Sequence, residues 1–148
     1  MLLITNPLNE SEYSFPILEC IHILAFALSI GTIAIVDFRL LNIGMRHQTP
    51  AALLKDTSTW TLVGLVIMIF SGLLLFSSDP DLYYLNWAFL IKITCLLLAI
   101  VFNYTIHRKV AQSQEPSSNG KLVASVSLVL WGSVIFGGIF IAFINQGL

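Results

Sequence analysis

A few ionisable side chains interrupt segments of this sequence that are otherwise apolar. One set recurs at steps of three or four residues, and it comprises Glu19, His22, Phe26, Ser29, Ile33 and Asp37. A second set has the same spacing, and it comprises Lys92, Cys95, Ala99, Asn103 and His107. This spacing places each set on one face of a helix. Because an ionisable group inside a bilayer costs at least about 3 kcal/mol, such side chains usually face the interior of a helical bundle and mark a function.

His22 and Lys92 are predicted to lie at the same depth. His22 stands 17 residues before Arg39, and Lys92 stands 16 residues before Arg108, so both lie roughly 25 Å from the basic ends of their helices. A neutral imidazole is a common axial ligand of haem iron, and the interior of a bundle offers an apolar slot for a porphyrin. One prediction is therefore a haem site with His22 as the metal ligand and Lys92 beside a propionate. Glu19 and Phe26, each about one turn from His22, complete the predicted cofactor-binding set.

Other interpretations of these residues are open. His22 could instead hydrogen-bond to a carbonyl or to Glu19 and simply stabilise the bundle. Asp37, Asn103 and His107 form a secondary polar cluster near the basic ends, which predicts either a path for protons or contacts between helices. Since this cluster is at least half a membrane from His22, the two histidines are not expected to share a metal ion.

The composition and the apolar segments predict the fold class. Hydrophobic residues make up 57% of the chain and charged residues 10%, whereas a soluble domain carries about 25% charged residues. Apolar stretches of the length that spans a bilayer predict helices at about 15–41, 57–78, 82–108 and 121–146. The short connections predict an all-α integral membrane four-helix up-down bundle, a single transmembrane domain over 1–148. The first residues do not resemble a signal peptide, so we expect the first helix to be retained.

The distribution of basic residues predicts the orientation. Six of the seven Lys and Arg residues flank the first and third connections, and they are Arg39, Arg46, Lys55, Arg108, Lys109 and Lys121. Because basic residues accumulate in cytoplasmic loops, the N-terminus and the C-terminus are both predicted on the non-cytoplasmic side. The membrane orientation accounts for these basic residues, and the sequence contains no other basic patch. No nucleic-acid partner is therefore expected.

Small residues within the apolar segments predict close contacts between helices. They are Gly31, Gly64, Gly72, Ser133, Gly137 and Gly138. Small side chains let two membrane helices approach closely.

The residues around His22 and Lys92 also carry a resemblance. The run E-C-I-H-I-L-A-F-A-L-S-I-G from Glu19, followed by V-D-F-R-L-L, N-W-A-F-L-I-K-I and N-Y-T-I-H, resembles a family of small uncharacterised bacterial four-helix membrane proteins. More distantly it is similar to the HemJ type of protoporphyrinogen oxidase and to CopD-type membrane domains. The resemblance implies haem b, with the key His and Lys at His22 and Lys92, in the bacterial inner membrane.

These observations predict a membrane-embedded b-type haem-binding protein with an electron-transfer or redox role. An enzymatic form, a haem-dependent oxidoreductase, would act on a porphyrin-like substrate or a quinone. The alternatives are a cofactor-free accessory subunit of a larger membrane complex and a small metal or proton transporter. The expected partners are the lipid bilayer and either a second copy of the chain or that larger complex.

Overall fold

The computed structural model describes residues 12–113 and 119–144, and all secondary structure in these ranges is helical. The helices are α1 (Ser14–Leu40), α2 (Pro50–Ser78), α3 (Pro80–Tyr84), α4 (Trp87–Phe102), α5 (Arg108–Gln112) and α6 (Gly120–Ile144). A π-helical turn, Asn103–His107, joins α4 to α5, so the three elements form one continuous long helix.

Four helices of the described chain are long and apolar enough to cross a membrane. Their polarity is arranged as lipid requires, with apolar side chains outside and polar ones inside. Large hydrophobic side chains are exposed along every long helix, such as Leu24, Phe70, Leu97 and Phe136. The buried polar side chains are Ser29, Asp37, Thr61, Ser71, Asn86, Asn103, His107 and Ser127. Helices that are apolar all round are typical of membrane spans.

Two helix boundaries differ from the predicted ones because capping residues set them. The helix α2 begins at Pro50 rather than near residue 57, since the Thr49 side chain accepts a hydrogen bond from the Ala52 N–H at 3.2 Å. The third span begins at Trp87 rather than near residue 82, since the Asn86 side chain accepts from the Ala88 N–H at 2.9 Å. The predicted inner connection at 114–118 and the chain end after 144 lie outside the described residues.

The long helices pack as two antiparallel pairs. In the first pair Gly64 of α2 lies against Ala25 and Ser29 of α1. In the second pair Gly137 of α6 lies against Lys92 of α4. The two pairs meet mainly between α1 and α6, and the buried core there includes Ile33, Ala99, Trp131 and Val134. Each long helix thus runs opposite to its sequence neighbours, so α1 and α4 run in the same direction.

We call the end of the bundle that carries Arg39 and Arg108 the basic end. A second apolar cluster closes it, formed by Val36, Leu53 and Ala111 from α1, α2 and α5. Three of the four long helices therefore contact one another at this end, beside the buried polar residues.

Candidate functional site

His22 contacts the neighbouring helix rather than its own. The Nδ1 atom of its half-buried ring lies 2.9 Å from the Oγ of Ser71 on α2. Gly72 lies beside the same ring, and a Cβ added there would come within 3.0 Å of the His22 Cε1. The absence of a side chain at Gly72 therefore allows the imidazole to lie against α2.

The hydrogen bonds of Ser71 determine which nitrogen of His22 carries the proton. The Ser71 hydroxyl donates to the Ile67 carbonyl at 2.7 Å, with the Met68 carbonyl at 3.1 Å. A hydroxyl has one proton, and when a carbonyl accepts it the oxygen acts as an acceptor toward His22. In that arrangement the imidazole donates its Nδ1–H to Ser71. This leaves the lone pair on Nε2, which is the nitrogen available to a metal.

Lys92 lies on the other helix pair, packed on the small residues of α6. A Cβ at Gly138 would lie 3.5 Å from the Lys92 Nζ, and one at Gly137 would lie 3.0 Å from the Lys92 Cβ. The charge of Lys92 acts on His22, and that of Glu19 acts on Lys92. The structure thus places the three ionisable groups of the predicted cofactor-binding set within electrostatic reach of one another.

Glu19 lies at the edge of this group. Its side chain is exposed, and its charge acts on Tyr83, which belongs to a ring cluster with Phe76 and Phe89 whose centroids lie 5.4 to 6.1 Å apart. Burial raises the pKa of the Tyr83 phenol, and the negative charges of Glu19 and Asp79 raise it further. The phenol is therefore protonated at neutral pH. It presents a donor at the end of the bundle opposite to the basic end.

Phe26, the remaining member of the predicted cofactor-binding set, and the two cysteines have ordinary environments. Phe26 is half-buried and packs against the central apolar core. Cys20 is exposed and Cys95 is half-buried, and both are free thiols. Within the described ranges no three His, Cys, Asp or Glu residues are grouped as they would be around a metal ion. A metal held at His22 would therefore have to bring its own ligands, as a porphyrin does.

The basic end contains a buried pair of ionisable side chains. The Asp37 side chain is fully buried, and its Oδ1 lies 2.7 Å from the Nε2 of His107. The hydroxyl of Ser127 on α6 donates to the Asp37 Oδ2, also at 2.7 Å. One carboxylate on α1 thus joins α6 to the long helix that contains His107. We call these three residues the Asp37 triad.

A distortion of the helix positions His107 for this contact. The backbone from Asn103 to His107 is π-helical, and the Arg108 N–H bonds to the Asn103 carbonyl. Both Asn103 and His107 are buried. Single π-helical turns are rare and are often found at functional sites. The predicted secondary cluster is therefore assembled, with Asp37 and His107 in direct contact and Asn103 one turn away.

A small pocket of about 20 Å³ lies beside the triad between α1, α2 and the π-helical turn. Its polar lining comes from Thr32, Thr57, Ser58, Thr61, Asn103, Tyr104, His107 and Arg108. The hydroxyls of Thr32 and Thr61 lie 2.8 Å apart within this lining. A pocket of this size has room for about one water molecule.

Ser71 and Ser127 were missed by the sequence analysis. Both lie in spans without any charged residue, where a lone serine is usually a small packing residue. Their hydrogen bonds to side chains of α1 become apparent only from the position of that helix.

The hydroxyl of Ser127 is expected to contribute measurably to stability. We predict that Ser127→Ala lowers the free energy of unfolding by about 1–3 kcal/mol, because it leaves one oxygen of a buried carboxylate without a donor. The measurement is unfolding in detergent, with Ser125→Ala as the control. Ser125 is exposed and bonds only its own helix at the Lys121 carbonyl. Equal effects of the two substitutions would contradict the role of Ser127.

Comparison with known protein families identifies the relatives of this chain. A protein family of unknown function, DUF6644, matches residues 14–144. The chain belongs to this family. The match covers all of the long helices and therefore both groups of buried polar residues. Comparison with curated proteins and with solved structures returned no match.

Proposed function

We propose that this member of the DUF6644 family is a membrane-embedded b-type haem-binding protein with an electron-transfer or redox role. The observation that carries the proposal is the hydrogen bond from His22 Nδ1 to Ser71. It holds the ring in the tautomer with a lone pair on Nε2 and fixes its orientation against α2. Ligating histidines nearly always donate their other ring N–H in this way.

The surroundings of His22 fit a porphyrin better than a bare ion. Lys92 supplies a positive charge in reach of the site, which suits a propionate. The helices on either side are apolar, and Phe26 adds an aromatic surface one turn below His22. A haem bound here would supply one-electron chemistry, and the remaining iron coordination position would be open to a small ligand or substrate. A quinone or a porphyrin-like molecule is the expected reaction partner.

The predicted orientation completes this proposal. The basic end faces the cytoplasm of a bacterial inner membrane, so His22 and Lys92 lie in the half of the bilayer away from the cytoplasm. Electrons would then be exchanged near the outer surface, where Trp87 and Tyr84 are exposed at the membrane boundary.

A visible spectrum tests the haem proposal. We expect detergent-purified protein, produced in cells supplied with a haem precursor, to show the Soret and α bands of haem b in a reduced-minus-oxidised spectrum. These bands should be lost in His22→Gly and should return when imidazole is added, because imidazole can occupy the vacated space. His47→Gly is the matched control, since His47 lies exposed in the connection between α1 and α2.

Either of two results would overturn the proposal. One is a colourless wild-type protein whose helix content and monodispersity are normal, which would favour a cofactor-free accessory subunit. The other is a haem spectrum that is unchanged in folded His22→Gly.

A further inference from the structure

The Asp37 triad contains a nitrogen that has no explanation in the packing. The Nδ1 of His107 is buried without a hydrogen-bond partner among the described residues. The His107 side chain is only 1% exposed. A buried polar atom in this state costs about 1–3 kcal/mol, so it usually signals a bound water, an ion or a chemical role.

The hydrogen bonds of Asp37 indicate which nitrogen of the His107 ring carries the proton. Ser127 donates to one carboxylate oxygen and His107 Nε2 lies against the other. With the carboxylate as the acceptor of both bonds, Nε2 carries the proton and Nδ1 carries a lone pair. This lone pair belongs to a residue that lines the small polar pocket.

We propose that the pocket holds a water molecule and that His107 and Asp37 form a proton-binding site supplied through it from the basic end. A hydronium in the pocket transfers one proton to the His107 Nδ1, so that an N–H bond forms, an O–H bond breaks and neutral water remains. The imidazolium is then balanced by the Asp37 carboxylate at 2.7 Å. Release of the proton to the pocket water reverses the step.

Charged groups of both signs lie near the His107 ring. The Asp37 carboxylate on α1 is 2.7 Å from Nε2, and Arg108 also lines the pocket. From α2 the lining consists of Leu54 and the hydroxyls of Thr57, Ser58 and Thr61, whereas Lys55 and Asp56 are exposed. From α6 the neutral Ser127 faces the pair. No carboxylate is among the described residues that line the pocket, and Tyr104 is a further ionisable group there.

The linked hydroxyls of the pocket also favour a proton over a metal cation. Thr32 and Thr61 lie 2.8 Å apart, and a hydroxyl can both accept and donate a hydrogen bond. The described lining contains no carboxylate, which is the ligand that a hard metal cation prefers, whereas linked hydroxyls can pass a proton along. A proton delivered by water is therefore the species that this lining suits.

Nitrogen-15 NMR of histidine-labelled protein in lipid bilayers tests the proton site directly. The His107 signals are assigned by their loss in His107→Gln. We expect a neutral ring protonated at Nε2 at high pH and an imidazolium at low pH. A ring that keeps one protonation state at every pH at which the protein stays folded overturns the proposal, as does a neutral ring protonated at Nδ1. The same titration is repeated with His22→Gly protein, so that the result does not depend on haem bound at His22.

A matched pair of threonine variants tests whether protons reach His107 through the pocket. Thr57 lines the pocket, whereas Thr59 on the same helix is exposed. We expect Thr57→Leu to fill the pocket and abolish fast proton exchange at His107, while Thr59→Leu leaves it unchanged. Ser58→Leu, which fills the same space, replaces Thr57→Leu if that variant does not fold. Unchanged exchange in a folded pocket-filled variant overturns the route.

Discussion

Replacing Asp37 by alanine is expected to lower the free energy of unfolding by about 2–6 kcal/mol, because each buried polar group left without its partner costs about 1–3 kcal/mol. The substitution would leave both the His107 Nε2 and the Ser127 hydroxyl without their acceptor. Since the three side chains come from different helices, it also removes the only polar contact described here that joins α1 to both α6 and the π-helical turn. Unfolding of purified protein in mixed detergent micelles, followed by circular dichroism, measures the loss.

Two substitutions make this result specific. Asp37→Asn keeps the shape of the side chain and an oxygen for His107, so we expect a smaller loss than for alanine. Asp56→Ala removes an exposed carboxylate near the same end of the bundle and should change stability by no more than about 0.5 kcal/mol. If Asp37→Ala is as stable as Asp56→Ala, the triad does not hold the helices together.

Gly64→Ala is expected to separate α1 from α2. A Cβ at this position would lie 2.8 Å from the Ala25 carbonyl oxygen, which is backbone and cannot rotate away, and would also strike the Ser29 Oγ. Overpacking of this kind costs about 1–3 kcal/mol. The midpoint of thermal unfolding, measured by size-exclusion chromatography of heated samples, should therefore fall.

Gly31→Ala provides the matched control for Gly64. It makes the same chemical change on α1, at a position where an added Cβ meets nothing within 4 Å. Alanine is the better helix former, so this variant should be unchanged or slightly more stable. Since Gly64 and Gly72 lie on the same face of α2, Gly64→Ala should also weaken the contact of His22 with Ser71. A Gly64→Ala protein as stable as Gly31→Ala would contradict the close helix contact.

The two groups of buried polar residues are separated by an apolar layer. Hydroxyl groups continue from the pocket toward the middle of the bundle, ending at Ser29, whose hydroxyl reaches the Thr61 carbonyl at 3.4 Å. Beyond it the buried side chains are Ala25, Leu65 and Met68. A proton taken up at the basic end therefore has no polar path to His22 in this structure, so the proposed haem and proton sites are separately testable.

Helix periodicity predicted which polar residues share a helix face, and depth counting predicted which share a level. His22 and Lys92 come within electrostatic reach, and Asp37 contacts His107, because a helix rises by a constant amount per residue. The identity of the partner helix was not predictable in the same way. The predicted faces on α1 and α4 could have met directly, but in the bundle each of these helices packs mainly on its sequence neighbour.

The small residues also show the difference between what the sequence predicts and what the tertiary structure decides. Six small residues predicted close helix contacts, and Gly64, Gly72, Gly137 and Gly138 lie at such contacts. Gly31 does not, because its face of α1 is exposed. A glycine on a membrane helix is compatible with either position, and the sequence of one helix does not say which side its neighbour occupies.

The sequence by itself determined that the chain forms long apolar helices, because only a helix satisfies every backbone hydrogen bond within a segment that contacts lipid. It also determined the level of each ionisable side chain, since that follows from counting residues along a helix. Only the tertiary structure decided the partners. Ser71 and Ser127 gain their side-chain partners from the helices that pack beside them, and His107, at the end of the π-helical turn Asn103–His107, contacts Asp37. These contacts join residues 49 to 90 positions apart, so no local pattern in the sequence could specify them.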